Sequence, residues 1–119
     1  VVSFGFKYGL PQEADLVLDV RCLPNPFYVD ELKHKTGLDQ DVRDYVLDKD
    51  VTKGFQTRLY SLIDYLLPLY SEEGKSQLVV AIGCTGGKHR SVALAEELAR
   101  HVADQGIKVA VNHRDIGKL

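Results

Sequence analysis

The run Leu78-Val79-Val80-Ala81-Ile82 is apolar at every position and ends at Gly83. Without alternation, it predicts a strand covered on both faces, as in a parallel sheet packed between helices. Three further segments read as strands: Val1 to Phe6, Asp15 to Leu23 and Ile107 to Val111. In the second, Leu16, Leu18 and Val20 alternate with Val17, Asp19 and Arg21, which puts Asp19 and Arg21 on one side. Between strands the period changes. Phe55, Leu59, Leu62, Ile63, Leu66, Leu67 and Tyr70 recur at three and four residues, the stripe of an amphipathic helix. Pro68 is expected to kink or close it, with Glu72 to Ser76 as a surface loop. A second helix carries Val92, Ala95, Leu98, Ala99 and Val102 on one face and is stopped by Gly106, and a short one spans Asp39 to Leu47. Strands separated by helices predict an α/β layered fold with a mostly parallel sheet flanked by helices. Ligands in such folds collect beyond the carboxyl ends of the strands. Pro24-Asn25-Pro26 and Gly83 to Ser91 each follow a strand end and are expected to line one crevice.

Composition narrows the functions. A chain of 119 residues, 45% hydrophobic and 27% charged, is one domain, residues 1–119. Fifteen Lys and Arg against 17 Asp and Glu give a net charge of −2, so nucleic-acid binding would need a local basic patch. No apolar run approaches the roughly 18 residues of a membrane span. Val1 to Tyr8 lacks a signal-peptide pattern, so a cytosolic protein with no membrane partner is expected. Cys22 and Cys84 stand 62 residues apart with no zinc-binding spacing; both are expected to be reduced, with Cys22 in the core. Neither they nor His34, His89, His101 and His113 form a metal-ligand pattern. The six tyrosines are scattered and give no base-stacking platform.

The sharpest signal is Gly83-Cys84-Thr85-Gly86-Gly87-Lys88-His89-Arg90-Ser91, a strand end running through a glycine turn into a helix. Gly86 and Gly87 let backbone N–H groups approach a ligand, and the helix start adds unpaired N–H groups and a positive dipole end. Lys88 and Arg90 add full charge, so the segment reads as a phosphate cradle. It is not GxxxxGK[ST], because Ile82 stands where the first Gly belongs and His89 where the magnesium-binding hydroxyl belongs. Cys84, Gly87, Arg90 and Ser91 do fit the CxxGxxR[ST] spacing of cysteine-dependent phosphatases, which makes Cys84 a candidate nucleophile. Gly83 stands where such enzymes usually carry His, and spacing assigns no Asp as leaving-group acid.

Ser3-Phe4-Gly5-Phe6-Lys7-Tyr8-Gly9, Asp19-Val20-Arg21, Leu23-Pro24-Asn25-Pro26, Thr36-Gly37-Leu38-Asp39 and Ala81 to Ser91 together resemble the C-terminal domain of the RapZ/YvcJ family, the RNase adapter proteins. The resemblance covers essentially the whole chain. It implies a fold similar to the sugar-phosphate-binding part of phosphofructokinase and an isolated C-terminal half, with the family's N-terminal P-loop nucleotide-binding domain absent. It also implies a non-catalytic sensor that needs no cofactor, binds an amino-sugar phosphate such as glucosamine-6-phosphate, forms homo-oligomers, and presents small RNAs to an endoribonuclease. Carried over by position, Cys84, Thr85, Gly86, Gly87, His89 and Arg90 hold the phosphate or sugar, flanked by Lys88 and Ser91. Asn25 closes the pocket, and Lys7 and Arg21 match family positions near strand ends. Phe27 replaces a His of the enteric pattern. It is suited to stack on a sugar or a larger group, so a nucleotide sugar such as UDP-N-acetylglucosamine enters as a possible ligand. The enteric version ends in a strongly basic tail, whereas here His113-Arg114 is followed by Asp115, which weakens an RNA assignment. His113 and Arg114 follow the last strand and are candidates to reach the crevice, Asp19 and Arg21 form an expected ion pair at its edge, and Lys33-His34-Lys35 reads as a solvated basic cluster.

Overall fold

The computed structural model describes residues 1–118. Four strands, β1 (Val2–Gly5), β2 (Leu16–Asp19), β3 (Val80–Cys84) and β4 (Asn112–His113), form one sheet in the order β2-β3-β1-β4. Every pairing is parallel, with Val2 opposite Ala81, Leu16 opposite Val80, and Val2 opposite Asn112. Three helices flank it: α1 (Gln40–Leu47), α2 (Asp50–Glu73) and α3 (Arg90–Ala103). The expected α/β layered architecture is therefore present.

Burial follows the sequence patterns. The continuous apolar run leads into the inner strand β3, whose five residues Val80 to Cys84 are all buried while Leu78 and Val79 lie ahead of it half-buried, and β1 beside it is buried throughout. At the edge, β2 keeps the alternation: Leu16 and Leu18 are half-buried and Val17 and Asp19 exposed. The alanines of α3 let it lie closely against the sheet, and Leu94 and Leu98 meet Ile82, Val20 and Ile63 in the core.

Three expectations change. The long helix does not close at Pro68 but runs on to Glu73, where Gly74 at φ 100° caps it and its N–H bonds the carbonyl of Ser71. Pro68 lies on the exposed face, where water can satisfy the carbonyl freed one turn back. The last strand is Asn112–His113, not Ile107 to Val111, because pairing begins only where Asn112 N–H reaches the Val1 carbonyl at 2.9 Å. Cys22 is exposed, since the inward places of its loop are taken by Val20 and Leu23. No helix among the described residues is long and apolar enough to cross a membrane.

Candidate functional site

All four strands point the same way, so the segments that leave β1, β2 and β3 gather at one end of the sheet. The turn after β3 is fixed there by close backbone packing. A Cβ on Gly5 would lie 2.5 Å from the carbonyl carbon of Gly86, and one on Gly87, already at φ 78°, would lie 2.6 Å from the Gly5 nitrogen. Gly86 is different, because a Cβ there would meet nothing within 4 Å. Its bare backbone faces open space. Lys7 N–H to the Thr85 carbonyl at 3.3 Å and Gly37 N–H to the Lys88 carbonyl at 2.8 Å tie the turn to its neighbours.

Beneath this lock sits Asp115, fully buried. It accepts hydrogen bonds from Gly5 N–H at 2.7 Å, Arg114 Nε at 3.0 Å and Lys118 Nζ at 2.7 Å. Burial alone would raise its pKa, but these donors outweigh that and hold it at about 2. The sequence showed Asp115 only as an interruption of a basic tail. Its spacing from Arg114 and Lys118 is the signal that marks it as an anchor.

The segments enclose a cleft of about 450 Å³. Lys7, Lys33, Lys88, Arg90 and Lys118 line it, with His34 and His89, and no lining residue is Asp or Glu. In a chain of net charge −2 this is a strong local excess of positive charge. Arg90 is 4% exposed, and its Nη1 donates to the carbonyls of Arg21 at 2.6 Å and Leu23 at 3.2 Å. Its Nη2 has only a long contact with Thr85 Oγ1, 3.4 Å. Among the described residues no carboxylate pairs with it. Beside the hydrogen bond from Arg21, the Arg90 charge helps lower the pKa of the Asp19 carboxylate without forming an ion pair, so an anion in the cleft would complete the pairing of a buried guanidinium.

His89, just before α3, is 7% exposed, and its Nε2 is enclosed without a hydrogen-bond partner. Burial lowers its pKa, partly offset by the backbone carbonyls of Lys35 and Lys33, so a neutral imidazole faces the cleft at pH 7. Cys84 is buried at the floor, its thiol donating to Ser91 Oγ at 3.1 Å. Asn25 caps the short turn Pro26–Tyr28, its Oδ1 accepting Phe27 N–H at 3.1 Å. Phe27 and Tyr28 stand exposed on the rim.

Of the candidates named from sequence, Lys7, Asn25, Phe27, Cys84, Thr85, Gly86, Lys88, His89 and Arg90 line this one cleft. Gly87 and Ser91 lie behind it, against β1 and Cys84 respectively. Arg21 turns away: it forks onto Asp19, with Nη2 to Oδ2 at 2.6 Å, which keeps the Asp19 carboxyl below its ordinary pKa, and it stacks on Phe6. His113 bonds Ser3 Oγ at 2.7 Å, and Arg114 is committed to Asp115 and the Gly9 carbonyl. The structure adds Tyr8, Tyr28, Lys33, His34 and Lys118 to the lining. Of the basic cluster read as a solvated face, Lys33 and His34 reach the cleft, while Lys35 pairs with Asp41. A larger cleft of about 670 Å³ opens at the opposite end of the sheet, among Val1, Leu67, Leu78, Val109 and Val111.

This chain matches the family described as the RapZ C-terminal domain over residues 1–117. It belongs to that family. Relatives of the RapZ C-terminal domain named nucleotide-binding protein occur in Caldicellulosiruptor bescii, 64% identical over 99% of this chain, and in Geobacillus kaustophilus, 60% identical over 98%. A third, from Caldanaerobacter subterraneus subsp. tengcongensis, is 58% identical over 99%. These matches cover 40%, 39% and 42% of the relatives, so the chain spans about two fifths of their length.

Proposed function

We propose that this RapZ C-terminal domain is a regulatory, non-catalytic sensor that binds a phosphorylated amino sugar, such as glucosamine-6-phosphate, in the cleft beyond the strands' carboxyl ends. The observation that carries this reading is Arg90: a buried guanidinium with no carboxylate partner among the described residues, beside the bare backbone of Gly86. A phosphate there meets Arg90 Nη2, the Lys88 ammonium and N–H groups at the start of α3. Occupancy is then relayed to an RNA or protein partner, an endoribonuclease among them, by a cytoplasmic homo-oligomer whose larger remainder carries the nucleotide-binding function named in the relatives.

The rival reading is a phosphomonoesterase, favoured by Cys84 and Arg90 lining the same cleft with Ser91 hydrogen-bonded to the thiol. Isothermal titration with glucosamine-6-phosphate and inorganic phosphate, with phosphate release followed on the same samples, separates the two. The sensor reading expects saturable sugar-phosphate binding, no release, and at least a tenfold loss of affinity in Arg90→Ala. Phosphate release abolished by Cys84→Ser would replace it with the enzyme.

A further inference from the structure

We propose that the cleft is bipartite: its inner half takes the sugar-bearing phosphate of a nucleoside-diphosphate-linked amino sugar, and its outer half takes the second phosphate and the planar base. This rests on the reading of the inner half as a phosphate cradle and extends it to residues the sequence motif does not contain. The inner cradle, with Lys88, Arg90 and the Gly86 backbone, already suffices for one phosphoryl group, whose charge is at most about −2. Three further cations from outside the Gly83–Ser91 segment line the same cleft: Lys7, Lys33 and Lys118. Lys118 is balanced by Asp115, but Lys7 and Lys33 pair with no carboxylate among the described residues. Both sit over aromatic rings instead, Lys7 Nζ 5.1 Å from the Tyr8 ring and Lys33 Nζ 4.6 Å from that of Phe27. Two cations left over beyond a filled phosphate site call for a second anionic group on the ligand.

The aromatic groups supply the other half of the recognition. Phe27 is 49% exposed and Tyr28 82%, with ring centroids 5.8 Å apart and planes at 82°. They are carried on a turn held by Pro26 at its start, the Asn25 cap and the Val29 N–H to Pro26 carbonyl bond of 3.0 Å. On this braced turn, beside ammonium groups that have no carboxylate partner, one ring can stack its open face on a planar group while the other, nearly perpendicular, borders that group's edge. A sugar phosphate alone leaves that surface unused. A nucleobase fills it, and since every base has a π-face, stacking does not select among bases.

The test is calorimetric titration of the chain with UDP-N-acetylglucosamine, UDP and glucosamine-6-phosphate, repeated on Phe27→Ala, Lys33→Ala and Arg90→Ala. The nucleotide sugar is expected to bind at least tenfold tighter than the sugar phosphate, and Phe27→Ala and Lys33→Ala should each close most of that gap. Equal affinities, or a gap that neither substitution narrows, would overturn the bipartite cleft while leaving the cradle standing. A 5′-phosphorylated oligoribonucleotide binding more tightly than UDP-N-acetylglucosamine would also overturn it, in favour of an RNA end. If Arg90→Ala alters no affinity at all, the cradle itself is refuted, and the bipartite proposal with it.

Discussion

The two ends of the sheet carry clefts that differ in size and in how much positive charge lines them. At the carboxyl end, five cations and two histidines converge on backbone that no side chain covers. At the amino end Val1, Leu67, Leu78, Val109 and Val111 are joined by the cations Lys75 and Lys108, of which Lys75 is neutralised by Asp15 at 2.8 Å. Volume alone would point to the amino end. What separates them is how the buried polar groups are matched: Arg90 bonds carbonyls and a hydroxyl but forms no ion pair, and His89 Nε2 has no partner, whereas Lys75 pairs with Asp15. Parallel strands produce this asymmetry, since helix amino termini and outgoing loops accumulate at one edge only.

Under the proposed function, the amino end is a matter of stability and the carboxyl end a matter of binding. Ile63, 1% exposed between the apolar cleft and the core, tests the first half. Ile63→Ala should cost about 2–5 kcal/mol in denaturant unfolding while leaving ligand affinity of the folded fraction unchanged within about twofold; a large loss of affinity would mean that the two ends are coupled. Next in size is Asp115. Its carboxyl is held at about 2, against 3.8 in the unfolded chain. A depressed carboxyl stabilises the fold above the unfolded value and loses that contribution as pH falls toward the folded one. The shift corresponds to about 2 kcal/mol at neutral pH, so Asp115→Asn should lower the Tm at pH 7 and flatten acid unfolding between about pH 4 and pH 2.

Two glycine substitutions sharpen the comparison within the cleft. Gly5→Ala drives a methyl into the Gly86 carbonyl and should destabilise by about 1–3 kcal/mol. Gly86→Ala meets only open space, so its Tm should stay within the effect of about 0.5 kcal/mol, yet phosphate-ligand affinity should fall at least tenfold. Retained affinity in Gly86→Ala would show that no ligand approaches that backbone. The smallest effect belongs to His89, whose pKa burial lowers from 6.5. The unfolded chain then takes up more protons than the folded one below that value, so stability falls as pH drops through 6.5. His89→Gln should remove that slope, measurable by thermal denaturation on either side of pH 6.5.

Much of this was legible in the chain. Leu78 to Ile82 gave β3, and the three-and-four spacing from Val92 to Val102 gave α3, because both signals lie within one element. The cradle was legible because glycines, cations and a strand-to-helix junction fall within nine residues. The two-residue strand β4 was not, since it exists only through the backbones of Val1 and Ser3 more than a hundred residues away. For the same reason Lys33 and Lys118 could not be assigned to the cleft from local pattern, and Arg21 could not be separated from it. Its fork had Asp19 two residues back as a partner, and the choice between that carboxylate and a ligand is made in three dimensions.

The contact between Gly5 and the Gly86-Gly87 backbone has a kinetic consequence. A turn wedged against a buried strand has little room to open or reorganise, so an incoming anion finds its donors already aimed and loses little conformational entropy on capture. Association should then run at the speed of electrostatically guided diffusion, slowing as salt is added, and selectivity among phosphorylated ligands should be written in how long each one stays.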